Sequence, residues 1–147
     1  MYQRILIATD GSTLSKKAVR NGIGLAKAVG ADLVAVNVIP RYPISYFEGA
    51  ITVSPDHIAK TEKRWADKAQ EVVDSVCEAA SAEGVKCKPV IVRSDLVAES
   101  ILSTAKKSKC DLIVMASHGR KGLKRVLLGS ETQQVLTHSQ IPVLVLR

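Results

Sequence analysis

The residues best suited to chemistry lie at 115–130, in the run Met115-Ala116-Ser117-His118-Gly119-Arg120-Lys121-Gly122-Leu123-Lys124-Arg125-Val126-Leu127-Leu128-Gly129-Ser130. The run follows an apolar, strand-like stretch at 112–115 and leads into a helical pattern that opens at Ser130 or Glu131. Glycine lets backbone approach a ligand closely, and a helix N-terminus offers unpaired N–H groups with partial positive charge. Four cations, Arg120, Lys121, Lys124 and Arg125, crowd into six positions. A hydroxyl, Ser130, stands where the helix begins. This combination suits an anionic group such as a phosphate, with Ser130 available to the phosphate or to a divalent ion bound to it. Turn geometry alone would also account for Gly119 and Gly129, and Lys124 and Arg125 would equally serve to keep a helical turn soluble.

A second polar point is Asp10-Gly11-Ser12, at the end of the apolar run 5–8. A carboxylate there can accept hydrogen bonds from ribose hydroxyls or from an adenine amino group, or it can simply close an Asx-turn before a helix. His118 has no Ser-His-Asp spacing and no metal-ligand partner, and reads as a neutral imidazole bonded within its loop. The chain lacks GxxxxGK[ST], GxGxxG, HExxH and GxSxG, so it does not read as a P-loop ATPase, a dinucleotide enzyme of the usual kind or an α/β-hydrolase. A phosphoacceptor receiver would need acidic neighbours for Asp10 and an aspartate directly after the third strand, where Arg93-Ser94-Asp95 stands. A flavin carrier would want aromatic residues that are scarce here.

The elements that must position these groups follow from apolar periodicity. Residues 4–9 read as a buried strand. Leu14, Ala18, Val19, Ile23, Ala26 and Val29 recur at helical spacing, with Gly30 as the stop. A second strand falls at 32–38. Residues 39–53, with Pro40, Pro43 and Gly49, read as a long loop. Ser54-Pro55 opens a long helix, with Ile58, Trp65, Ala69, Val72, Val76 and Ala80 inward, that stops at Gly84. Residues 88–92 form a third strand, placed at a sheet edge because Pro89 cannot donate to a central ladder. Asp95 is read as the cap of a third helix, 111–116 as a fourth strand, 130–136 as a fourth helix and 141–146 as a fifth strand. The sum is an α/β fold of the Rossmann-like kind: an open five-stranded parallel sheet with four helices on both faces. An order of 3-2-1-4-5 would bring the loops after strands one and four to one crevice, though spacing alone leaves the order open.

At 147 residues one domain spanning 1–147 is expected. Aromatic residues make up 3% of the chain, so the core must be built of Val, Ile, Leu and Ala, and base stacking on single-stranded nucleic acid is disfavoured despite a net charge of +7. Cys77, Cys87 and Cys110 are odd in number and form no CxxC pair, which reads as reduced cytosolic thiols. With no signal-like leader and no apolar run near 18 residues, a soluble cytoplasmic protein without membrane contact is expected.

Together, Ile5-Leu6-Ile7-Ala8-Thr9-Asp10-Gly11-Ser12, Asn37-Val38-Ile39-Pro40, 115–120, Leu127-Leu128-Gly129-Ser130 and Ser139-Gln140-Ile141-Pro142-Val143-Leu144-Val145 resemble the universal stress protein family, in its small, single-domain, ATP-binding type, over essentially the whole chain. The resemblance implies a regulatory, stress-response module that binds ATP or another adenine nucleotide, with at most slow hydrolysis or autophosphorylation. It implies that the Val38 backbone holds the adenine edge, that Asp10 contacts the adenosine portion, and that Ala8, Thr9 and Met115 line that end. By the same resemblance Ala116 and Gly119 approach ribose and phosphates, and Gly129, Ser130 and the Glu131 amide bind the phosphate tail, with Mg²⁺ as a possible companion at Ser130; Arg120, read from its charge alone, would offset the phosphates. It also implies a homodimer through strand five, where Ile141, Val143 and Val145 leave an apolar edge. The family's ATP-binding pattern is Gly-x-x-Gly, nine residues, then Gly-Ser or Gly-Thr. Gly119, Gly129 and Ser130 fit it, but Ala116 stands at the first glycine. That departure keeps open an alternative, a dimeric scaffold that binds no nucleotide.

Overall fold

The computed structural model describes residues 1–43, 53–119 and 128–147. Its elements alternate along the chain: β1 (Arg4–Ala8), α1 (Thr13–Val29), β2 (Asp32–Ile39), α2 (Pro55–Ala82), β3 (Cys87–Arg93), α3 (Val97–Lys107), β4 (Leu112–Ala116), α4 (Ser130–His138) and β5 (Val143–Leu146). Local chemistry sets most boundaries. Ser12 caps α1 by accepting the Ser15 N–H, and Gly30 ends that helix in a left-handed conformation at φ 74° while its N–H returns to the Ala26 carbonyl. Ser54 caps α2 in the same way, accepting from His57 N–H, with Pro55 in the first turn.

Three details differ from the expectation. Asp95 does not cap α3: its carboxylate accepts from the Arg41 N–H at 3.1 Å, and α3 starts after Leu96 with no side-chain cap. The inward stripe of α2 runs through Ala69, Val73, Val76 and Ala80, so Val73 is fully buried and Val72 only half so. β5 begins at Val143, because the Ser139 hydroxyl and the Ile141 backbone bond each other in a turn ahead of Pro142. Most of the expected 39–53 loop lies outside the described residues.

The five strands form one all-parallel sheet in the order β3-β2-β1-β4-β5. Alternation along β1 then sorts the core into two layers. Ile5 and Ile7 face α1 and α2 and pack with Ala18, Ile23, Val73 and Ala80. Leu6 faces α3 and α4 and packs with Ile101, Ala105, Ile113 and Val135. Pro89 lies in the edge strand β3, opposite Ala35 of β2. No helix among the described residues is long and apolar enough to cross a membrane.

Cys77 and Cys87 are joined by a disulfide, against the expectation of three reduced thiols. The last turns of α2 lie along the start of β3 and bring the two Cα atoms to 5.0 Å, a juxtaposition that a spacing of ten residues does not reveal. Cys110 remains a buried free thiol, and burial, with a smaller contribution from Asp111 and against the pull of Arg4, pushes its pKa from 9.0 up to about 11.

Leu6→Ala removes a side chain with no exposed area at the centre of the sheet. It should cost about 2–5 kcal/mol of stability in urea unfolding. Thiol titration of the native, unreduced protein at pH 8 should detect almost no reactive thiol, and all three after reduction and unfolding. Because the folded protein holds the Cys110 proton more tightly than the unfolded chain does, stability from this group is complete below about pH 9 and is lost as pH rises towards about 11. Cys110→Ala should flatten that fall relative to the parent protein.

Candidate functional site

The chain builds β1, β2 and β3 outward in one direction, then returns across β1 to add β4 and β5. The crevice at that reversal, beyond the carboxyl ends of β1 and β4, is where ligands bind in open α/β sheets. β1 is short. Its last rung to β2 is the Thr9 N–H donating to the Val36 carbonyl at 3.0 Å, whereas β2 runs on to Ile39 with β3 as its only neighbour. The Ile39 carbonyl accepts from Ser94 N–H on the β3 side. By alternation, the Val38 N–H and C=O point to the other side, which β1 has vacated. They form an adjacent donor and acceptor at the mouth of the crevice, with no strand among the described residues to take them up.

A polar turn closes the end of β1. Gly11 adopts φ 79°, the Asp10 carboxylate accepts the Ser12 N–H at 2.9 Å, and Thr9 Oγ1 accepts the Gly11 N–H at 3.2 Å. Thr9 Oγ1 in turn donates to Ser15 Oγ at 3.1 Å, and Ser15 Oγ donates to the Ser12 carbonyl at 2.9 Å. The N-terminus of α1 is therefore satisfied by its own side chains. The other Asp10 oxygen, Oδ2, faces Gly119: a Cβ placed on Gly119 would stand 2.6 Å from it. Only a residue without a side chain lets these two loops meet so closely.

The fourth helix is arranged differently. Gly129 precedes it in extended conformation and offers no side chain, so the first N–H groups of α4 have no side-chain cap. Gly129 is held against the end of β4 by its N–H, which donates to the Ser117 carbonyl at 2.7 Å. A Cβ on Gly129 would come within 3.2 Å of the His118 Cα and Cβ. The buried Thr132 hydroxyl donates to the Ala116 carbonyl at 2.9 Å and fixes the first turn of α4 over the strand end. His118 is bonded within its loop, its Nδ1 3.2 Å from Ser117 Oγ.

The cleft these elements enclose has a volume of about 130 Å³. Ala8, Thr9, Asp10, Val38, Met115, Ala116, Gly119 and Glu131 line it, so the structure brings these expected residues together. Gly129 and Ser130 flank it at the start of α4, and Arg120 lies outside the described residues. The lining also includes Ser15, Val36, Asn37, Val97, Ile101, His118 and Thr132, which the sequence did not single out as ligand-facing. Val97 and Ile101 were legible only as apolar stripe, and Thr132 and Asn37 as ordinary helix and strand positions. A larger groove of about 790 Å³ between α3 and α4 reaches Cys110 at the opposite end of β4 and has no glycine loop. Among the described residues no group of three or more His, Cys, Asp or Glu could hold a metal ion.

Comparison with known proteins agrees with this architecture. The model of the universal stress protein family matches residues 1–147. A universal stress protein of Methanocaldococcus jannaschii is 34% identical over 148 residues, covering 100% of this chain and 83% of that protein. UspA of Lactobacillus plantarum superposes with a TM-score of 0.84 at 24% identity, over 99% of this chain and 98% of its own. Two further solved relatives share the fold. One is a universal stress protein in complex with cAMP (TM-score 0.73, 24% identity, 99% and 97% of the two chains). The other is from Archaeoglobus fulgidus in complex with dAMP (TM-score 0.66, 18% identity, 99% and 98%). With its reversal-point cleft, its paired glycine loops and a family match from end to end, the chain belongs to the universal stress protein family.

Proposed function

We infer that this protein binds an adenine nucleotide, ATP first among them, in the cleft at the sheet reversal, and serves as a regulatory stress-response module. The observation that carries this reading is the convergence, on one cleft, of the unclaimed Val38 N–H and C=O, the Asp10 carboxylate and the uncapped start of α4. A donor beside an acceptor matches the N1 and amino edge of adenine. Val36, Ile101 and Met115 give the base an apolar bed. A cleft of about 130 Å³ takes a base rather than a whole nucleotide. Ribose and phosphates would then run out past Asp10 and Gly119 to the N–H groups of Ser130 and Glu131. The Ser130 hydroxyl is exposed and is available to a phosphate or to a Mg²⁺ ion that the phosphates carry. The relatives crystallised with cAMP and dAMP support an adenylated ligand. No described side chain stands as an evident base for attack on a γ-phosphate, so turnover is slow at most.

Ala116, at the position of the family's first glycine, favours a second reading, a scaffold without nucleotide. Its packing weakens that reading. Ala116 is an ordinary strand residue paired with Leu146, and it belongs to the cluster facing α1 and α2. In either reading we place the dimer contact at β5, an edge strand with Leu144 39% exposed, and the protein in the cytoplasm.

Gly129→Val drives a side chain into the His118 backbone, so calorimetry should find ATP binding abolished. An unchanged affinity would remove the site from consideration. Gly119→Val must displace the Asp10 carboxylate and should weaken adenosine and ATP alike by about tenfold or more, the loss of one charge-assisted hydrogen bond. Mass analysis of small molecules released from freshly purified, denatured protein separates the two readings. Adenine nucleotide in the extract excludes the scaffold, and its absence together with no calorimetric signal excludes the nucleotide.

A further inference from the structure

The Cys77–Cys87 bond joins two elements that other interactions already hold together. Beyond α2 the chain turns sharply: the Ala80 carbonyl accepts the Glu83 N–H at 3.0 Å and the Val85 N–H at 2.9 Å, and Gly84 takes φ 76°. Val85 is buried with Val73, Val76 and Ala80 in the layer between the sheet and the helix. The Leu33 N–H donates to the Lys86 carbonyl at 2.8 Å, and Cys87 follows as the first residue of β3, paired with Leu33. Cys77 lies three residues before Ala80 and packs against the same buried layer. None of these contacts requires the S–S bond. The scaffold therefore sets the two cysteine backbones at bonding distance by itself, and a thiol pair fixed in this way closes readily.

The pair is also open to reagents. Cys77 and Cys87 are each half-buried, whereas the free thiol of Cys110 is only 7% exposed. β3 is an edge strand, and Ser81, Glu83, Gly84, Lys86 and Lys88 around the pair are exposed. Neither cysteine lines the cleft at the sheet reversal. We propose that Cys77 and Cys87 form a reversible thiol–disulfide exchange site, a clip between α2 and β3 that opens and closes with small thiols and disulfides of the glutathione kind. In opening, a thiolate RS⁻ attacks one cysteine sulfur, the S–S bond breaks, and its electron pair leaves on the other cysteine, which takes up a proton. A second RS⁻ attacks the outer sulfur of the mixed disulfide, releases RSSR and expels the remaining cysteine thiolate, which is protonated in turn. Two small thiols are oxidised to one disulfide, and the protein disulfide is reduced to two thiols. Closure is the reverse, with RSSR as oxidant. Because the turn at 80–85 and the β2–β3 pairing persist, opening loosens the end of α2 without unfolding the domain. The proposal draws on nothing in the nucleotide reading.

The test equilibrates the full chain in anaerobic glutathione buffers of graded GSH to GSSG ratio, then acid-quenches, alkylates and maps each cysteine by mass spectrometry. In the native protein the pair should pass from disulfide to dithiol in one two-electron step, with far-UV circular dichroism unchanged. Its midpoint should need a value of [GSH]²/[GSSG] about tenfold or more above that for the same pair in the urea-unfolded chain, because only the fold holds the thiols together. The melting temperature should fall by several degrees on opening. Cys77→Ser and Cys87→Ser each leave a single member of the pair, and at least one of these variants should capture one glutathione on the remaining cysteine. The proposal fails if the bond opens only when the circular dichroism is lost, or if native and unfolded chains share one midpoint. It fails equally if both cysteines stay thiols in GSSG, or if neither variant takes up glutathione.

Discussion

The hydrogen bond from Thr9 N–H to the Val36 carbonyl is the last rung between the two central strands, and the character of the crevice follows from where it falls. A parallel strand satisfies its backbone on both sides only as far as its shorter neighbour reaches. Because Gly11 turns the chain away at φ 79° immediately after, β2 extends past β1 with one side of its backbone unpaired among the described residues. Polar backbone at the rim of an apolar sheet must be satisfied by something. Here that requirement falls beside a carboxylate, two close-packed glycine loops and a helix that carries no cap. A longer first strand would have covered Val38 and left an ordinary α/β domain.

The same turn makes the two sides of the crevice unlike. At the start of α1, Ser12, Ser15 and Thr9 bond among themselves and leave nothing for a ligand anion. At the start of α4, the residue in the capping position is Gly129, which is pinned to β4 by its own N–H. One helix is closed by its sequence and the other is left open. Placing both against the same strand ends gives the crevice a direction, with an apolar lining at one end and N–H groups without a side-chain cap at the other.

Much of this was legible in the sequence. Short continuous apolar runs such as Ile5-Leu6-Ile7, bounded by breakers such as Asp10-Gly11, read as strands buried on both faces, and their alternation with amphipathic stretches points to a parallel α/β sheet. Gly30 and Ser54-Pro55 punctuate helices for reasons confined to a few neighbouring residues, so they could be placed in advance. Features that depend on distant parts of the chain could not. Asp95 looked like a helix cap until the Arg41 N–H claimed it from 54 residues away. Cys77 and Cys87 became a pair only once α2 folded back along β3. Asn37 is an unremarkable polar residue in a strand until the sheet order places it at the wall of the cleft. Its register alone decides that it faces α2 rather than solvent.

The two margins of the sheet have unequal fates. Along β3, the Lys86 carbonyl and the Ser94 N–H both point inward to β2, so the backbone of Pro89 faces outward. Proline thus deletes a donor from that margin, and exposed Lys88 beside it adds a charge. β5 carries neither device. Growth by strand addition would consequently have one open end per molecule. Were two copies to meet at that margin they would exhaust each other's valence, and a single imino acid on the far side would keep such an assembly finite instead of fibrous.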